Sequence, residues 1–237
     1  MEQKYPWREV CTVKRLYVYC EGDTEAKFVE GILRPFLNNY DKFIIRPIIC
    51  ETKRTPEKKF KGGISNYAKI KNELIRSCKK DTNAYFTTMF DYYRFPINTL
   101  GINTAIKNID EKMQYFERAI EVDLGGLPNL FFNLTAHEFE GLLFSDINAF
   151  KDVAKANDKT LAELRRIRND FPSPEDINNS EATAPSKRIT RILPGYSKTL
   201  NGIEVANRIG IAKTAEQCQH FKQWLAKIEK LANGGTL

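Results

Sequence analysis

The chain has 237 residues, 42% of them hydrophobic and 28% charged. That suits one large domain, or a domain of about 150 residues with a smaller appendage, and excludes a disordered polymer. No apolar run approaches the ~20 residues of a membrane span, and residues 1–15 lack the apolar stretch of a secretory signal, so a soluble, cytoplasmic protein without a membrane partner is expected.

A formal charge of +7 and a pI of about 9.1 suit a polyanionic partner such as nucleic acid, and equally suit a merely solvated surface. The five cysteines, Cys11, Cys20, Cys50, Cys78 and Cys218, are odd in number and form no CxxC pair. Cys20 and Cys50 each end an apolar run and read as buried thiols, and a reducing compartment is expected rather than a disulfide framework. His137 and His220 lie too far apart in sequence for a zinc motif.

The first predicted strand is RLYVYC, residues 15–20, running into Glu21 and Gly22. A helix follows, with Phe28, Val29, Ile32, Leu33 and Phe36 at helical spacing and Asp23 or Thr24 as its cap. FIIRPIIC, residues 43–50, predicts a second strand, and Pro47, which cannot donate to a ladder, places it at an edge or a bulge. After a basic loop, residues 53–63, comes a helix carrying Ile64, Tyr67, Ala68, Leu74, Ile75 and Cys78.

A third strand spans 84–90 and ends at Asp91. A helix with Ile106, Ile109, Met113, Phe116 and Ile120 leads to a fourth strand, residues 129–134, and then to HEFEGLLFSD, residues 137–146, which reads as helical. Further on, residues 150–156 and 161–168 read as helices, 171–179 as a loop, 185–202 as a basic, turn-rich stretch, and 216–231 as a closing helix. Strands alternating with helices predict an α/β fold: a mostly parallel, four-stranded sheet flanked by helices over residues 13–146. A mainly helical extension, 147–237, packs on it.

In open parallel sheets, sites form beyond the carboxyl ends of the strands. Glu21 follows the first strand, Asp91 the third and Glu138 the fourth, with Glu140 and Asp146 close behind. Carboxylates gathered at one edge suit Mg²⁺ or Mn²⁺, which can orient water and offset charge on a phosphodiester. Glu138 and Glu140 compete: in a helix they point apart, in an extended segment they share a face. Asp146 is better read as the cap of the next helix. His137 is a candidate base but is better read as held by local hydrogen bonds, and His220 as structural. Arg94 could touch phosphate or pair with an acid. Lys187, Arg188, Arg191 and Lys198, with Tyr196 among them, suit a phosphate backbone or a solvated loop. No GxxxxGK[ST], GxSxG or Cys/His nucleophile pattern occurs.

Three segments together, CEGDTE at 20–25, FDYYRFP at 90–96 and HEFEGLLFSD at 137–146, resemble the family catalogued as domain of unknown function 4276. PEDIN at 174–178, APSKRI at 184–189, PGYSK at 194–198 and CQHFKQWL at 218–225 extend the resemblance over nearly the whole chain. That family is viewed as Toprim-like, a fold shared by topoisomerases, primases, small nucleases and the nuclease part of overcoming-lysogenization-defect proteins. The resemblance implies a metal-dependent phosphoryl-transfer site, with Glu21 as its glutamate and Asp91 as the first aspartate of its Asp-x-Asp motif. Asp91-Tyr92-Tyr93 lacks the second aspartate, for which Glu138 or Glu140 is the candidate replacement.

A Mg²⁺ or Mn²⁺ nuclease is therefore expected, with Glu21, Asp91 and Glu138 on the metal, Glu140 assisting, and Lys187, Arg188 and Lys198 on nucleic acid. The family also implies an ATPase partner of AAA or ABC type in a bacterial defence or mobile-element system. The alternative is a non-catalytic partner that keeps the scaffold to bind nucleic acid or an ATPase.

Overall fold

The structure, a computed structural model, describes residues 13–40, 42–50, 66–178 and 180–237. The basic loop 53–63, Ile64, Cys11 and the side chain of Arg94 lie outside the described residues.

Strand β1, Lys14–Cys20, is followed by helix α1, Asp23–Phe28, which continues through a π turn, Val29–Leu33, into α2, Arg34–Phe36. Strand β2 is Phe43–Ile49, helix α3 Tyr67–Lys80, strand β3 Ala84–Asp91 and helix α4 Ile109–Asp123. The expected fourth strand is two short pieces, β4 Leu130–Phe131 and β5 Leu134–Thr135, so the sheet has five strands among the described residues. Its order is β2-β1-β3-β4, with β5 also on β3, and every pairing is parallel. β2 lies at the edge, as Pro47 requires.

The split has a local cause. The Phe132 N–H donates to Glu121 Oε1 and the Leu134 N–H to Glu117 Oε1, both 2.8 Å, while the Asn133 N–H donates to Thr88 Oγ1 at 2.9 Å. Side chains of α4 and β3 thus take backbone donors that a neighbouring strand would otherwise take.

Period-2 alternation on β1 divides the interior in two. Leu16, Val18 and Cys20 join one core with Phe28, Val29 and Leu33, and Tyr19 faces the other core with Ile70, Leu74, Phe116 and Ile120. The first core is completed by the C-terminal helices: α5 Asp158–Asn169, α6 Pro185–Ile192, α7 Ile203–Gln217 and α8 Gln219–Ala232. The Trp224 indole of α8 donates to Thr87 Oγ1 of β3 at 3.0 Å. Among the described residues, no helix is long and apolar enough to cross a membrane.

Several expectations need correction. The N-cap of α1 is Gly22, not Asp23 or Thr24, and its N–H donates to Glu25 Oε2 at 2.9 Å. Residues 150–156 form no α-helix, because Asp152, Ala154 and Lys155 turn to positive φ and leave only short 3₁₀ turns. The stretch 185–202 contains α6, opened by Pro185 at its first turn, and a π turn, Lys198–Gly202. The HEFEGLLFSD stretch is a 3₁₀ helix, Phe139–Ser145.

Candidate carboxylate site at the sheet edge

Because β1, β3 and β5 run parallel, their carboxyl ends deliver Glu21, Asp91 and Glu138 to one edge. The turn after β5 makes this possible. His137 adopts φ 60°, and its carbonyl accepts the Tyr93 N–H at 3.0 Å. The turn brings the Phe139 N–H to Asp91 Oδ1 at 2.9 Å. The Asp91 N–H in turn faces Glu21 Oε2 at 3.4 Å. Glu138 stays extended just before the 3₁₀ helix, and its Oε2 accepts the Ser186 N–H at 3.0 Å. That donor belongs to the first turn of α6, whose dipole favours an anion.

Glu140 is 1% exposed, and its Oε2 receives Lys198 Nζ at 3.0 Å. Among the described residues, its buried Oε1 has no hydrogen-bond partner, and neither has the Tyr196 hydroxyl. The lysine side chain is 47% exposed. Glu25, buried on the first turn of α1, is a member of the site that the sequence reading missed. The available signal was its place four residues after Glu21 at the start of a helix.

The electrostatics show that these groups form one cluster. Burial raises Asp91 well above the usual carboxylate range, and Glu25, Glu21, Glu140 and Glu138 raise it further. Burial and Glu21 raise Glu25, with Lys198 opposing. Burial pushes Glu140 up to about 7, although Lys198 pulls the other way. For Lys198, burial works against the charge, but Glu140 and Glu138 prevail and push it up. At an effective dielectric of about 20, two like charges 6 Å apart repel by about 3 kcal/mol, so these carboxyls oppose one another's ionisation, and a cation among them would relieve that repulsion.

Oxygen donors whose mutual repulsion a cation would relieve fit a hard divalent ion in chemistry. Among the described residues, however, no three carboxylate, imidazole or thiol groups stand together as a ready ligand set. Asp91 is engaged by the Phe139 N–H, Glu138 by α6 and Glu140 by Lys198.

The other candidates fall outside this cluster. Asp146 Oδ1 accepts the Asn148 N–H at 2.8 Å and caps a 3₁₀ turn. His137 Nδ1 lies 3.3 Å from Asn178 Nδ2, and burial, with Lys112, lowers its pKa to about 4. His220 is buried in a network with Asp110 and Glu117. Lys187 is exposed on α6. Arg188 bonds the Thr183 carbonyl and lies 5.3 Å over the Phe171 ring.

Fold and edge together define a parallel-sheet α/β protein with a carboxylate-rich site at its strand ends. The chain matches the family model described as Domain of unknown function (DUF4276) over residues 20–229, and it belongs to that family. No curated protein matches it. Among solved structures, the C-terminal region of the OLD protein of Xanthomonas campestris pv. campestris is similar. It shares 15% identity over 89% of this chain and 96% of that one, with a TM-score of 0.37, too loose a likeness to carry an argument about this chain.

Proposed function

We propose that this protein is a Toprim-like, Mg²⁺- or Mn²⁺-dependent nuclease that hydrolyses phosphodiesters of DNA or RNA. The observation that carries the reading is the convergence of Glu21, Glu25, Asp91, Glu138 and Glu140 around Asp91 at the strand ends. Glu21, Asp91 and Glu138 would hold the ion, with Glu25 and Glu140 beside them. A bound divalent ion would lower the pKa of a water and polarise the scissile phosphate.

The chain's own residues have separate tasks. Asp91 and Glu21 present oxygens from adjacent strand ends, and the Phe139 N–H holds Asp91 in place. Glu138 is fixed by the first turn of α6, and the next residue after Ser186, Lys187, is exposed and available to a phosphate. Arg188, tied to Thr183 and Phe171, lies further along the same helix. Lys198 adds a positive charge within the cluster. A bacterial defence or mobile-element role with an AAA- or ABC-type ATPase belongs to the same proposal and rests on family resemblance.

A second reading, a non-catalytic partner that binds nucleic acid or an ATPase, is favoured by one observation. Tyr93 stands where a second aspartate would complete the motif, and no ready ligand set exists among the described residues.

The test is cleavage of supercoiled plasmid, single-stranded DNA and RNA in Mg²⁺, Mn²⁺ or EDTA, with Glu21→Gln and Asp91→Asn preparations alongside. Metal-dependent cleavage lost at least 100-fold in both variants is expected, about the size of losing an electrostatic catalytic element. No cleavage, or equal cleavage in the variants, would support the second reading.

A further inference from the structure

Glu140 is the most buried carboxylate of the cluster and is only half engaged. One oxygen receives Lys198 at 3.0 Å, and the other has no hydrogen-bond partner among the described residues. A buried, half-satisfied carboxylate is costly, and a cation that reached both oxygens would relieve that cost.

Its present partner is a side chain. Glu140 and Glu138 favour the Lys198 charge where it stands, but the side chain is 47% exposed, which leaves the ammonium a path to water. The lysine sits on the segment after α6, whose backbone is held independently of the ammonium. The Ser197 N–H donates to Asn201 Oδ1 at 2.8 Å, and the Tyr196 N–H donates to the Leu193 carbonyl at 2.9 Å. Glu138 and Asp91 are held differently. Each accepts a backbone N–H, from Ser186 and Phe139, and a backbone donor cannot swing away.

We propose that Lys198 is a resident counter-cation that competes with a divalent ion for Glu140, so that Glu140 becomes a ligand when the ammonium leaves. The proposal rests on the metal-site reading above and adds to it a latent ligand and the residue that masks it. It also accounts for an edge rich in carboxylates that presents no ready ligand set. The exchange breaks one ion pair and forms one metal–carboxylate contact, and Lys198 stays protonated throughout. The freed ammonium would then face solvent at the mouth of the site, where an incoming phosphate meets positive charge.

The test is calorimetric titration of Mn²⁺ into the full chain and three variants: Lys198→Met, Glu140→Gln and the double variant. Lys198→Met is expected to tighten Mn²⁺ binding by roughly fivefold or more, and that gain is expected to vanish in the Glu140→Gln background, a coupling of the size seen between contacting residues. Lys198→Arg, which keeps the charge, is expected to show no gain. If the gain persists in the double variant, Lys198 acts only through its field on Glu21 and Asp91, and the competition is refuted. If none of the proteins binds Mn²⁺, the metal-site reading falls as well, a result distinct from the first. Should Lys198→Met fail to fold, Lys198→Gln keeps a neutral donor for Glu140 and decides the same comparison.

Discussion

Asp91 illustrates the tension between stability and a charged site. Its carboxyl is raised by burial and by four neighbouring glutamates. A carboxylate whose folded pKa lies above its unfolded value near 3.8 contributes stability below that value, and loses it as pH rises through the folded pKa. At neutral pH without metal, Asp91 therefore opposes folding. Asp91→Asn keeps an oxygen for the Phe139 N–H and removes the charge, so it should stabilise the metal-free protein by about 1–3 kcal/mol in urea unfolding at pH 7.5. Equal or lower stability would show that the repulsion is relieved in some other way.

His220 has the opposite character. Burial works against its charge, but the hydrogen bond and charge of Glu117, then Glu175 and Asp110, raise its pKa to about 9. Its contribution is fully present below the unfolded value near 6.5 and is lost as pH rises through about 9. Urea unfolding between pH 6.5 and 9.5 should show stability falling by roughly 1–3 kcal/mol, with a flatter profile in His220→Gln. An unchanged slope in the variant would remove His220 from the account.

Among the elements, α8 depends on a single buried carboxylate. Both oxygens of Glu175 accept backbone donors of its first turn, His220 N and Phe221 N, each at 2.9 Å. Glu175→Ala leaves both donors buried and unsatisfied and should cost about 2–4 kcal/mol, read as a fall in Tm. The segment carrying Lys198 depends on a glycine for space. A Cβ at Gly202 would stand 2.6 Å from the Tyr196 hydroxyl. Gly202→Ala should cost about 1–3 kcal/mol and move the tyrosine. A neutral result would mean that the ring shifts freely.

The elements also show what was legible in the sequence. β1 and β3 were: Leu16, Val18 and Cys20 alternate with tyrosines on β1, which runs into Glu21, and the apolar run of β3 ends on Asp91. The break between β4 and β5 was not, since it depends on Glu117 and Glu121 reaching from another helix to Leu134 and Phe132. α7 was hidden by Gly210, which takes φ 75° inside it and breaks the apolar period. Glu21, Asp91 and Glu138 could be placed because parallel strands share a carboxyl edge. Glu140 was left undecided because the answer needed a 3₁₀ helix starting just after an extended Glu138. The pairing of Lys198 with Glu140 joins residues 58 apart in sequence, and no local pattern announces it.

For the whole molecule, the C-terminal third is part of the site and of its support. Ser186 holds Glu138, Lys198 holds Glu140, and Val205, Ile209, Phe221 and Trp224 share a core with Leu16, Val18 and Met89. A chain ending at residue 146 should therefore fail to give a cooperative unfolding transition, because it strips from that core the side chains of α5, α6, α7 and α8 that complete it. A cooperative transition in that fragment would show that the first 146 residues suffice.

Whether the carboxylate cluster at the sheet edge binds a divalent cation is decided by the thermal unfolding midpoint of the intact protein at pH 7.5, with Mn²⁺ from zero to millimolar, beside Asp91→Asn. A ligand that binds the folded state at 100 times its Kd stabilises it by about 2.7 kcal/mol, which is several degrees in a domain of this kind. The account predicts a midpoint that climbs with Mn²⁺ in the natural sequence and stays flat in the variant. A midpoint that ignores Mn²⁺, or climbs equally in both proteins, would contradict it.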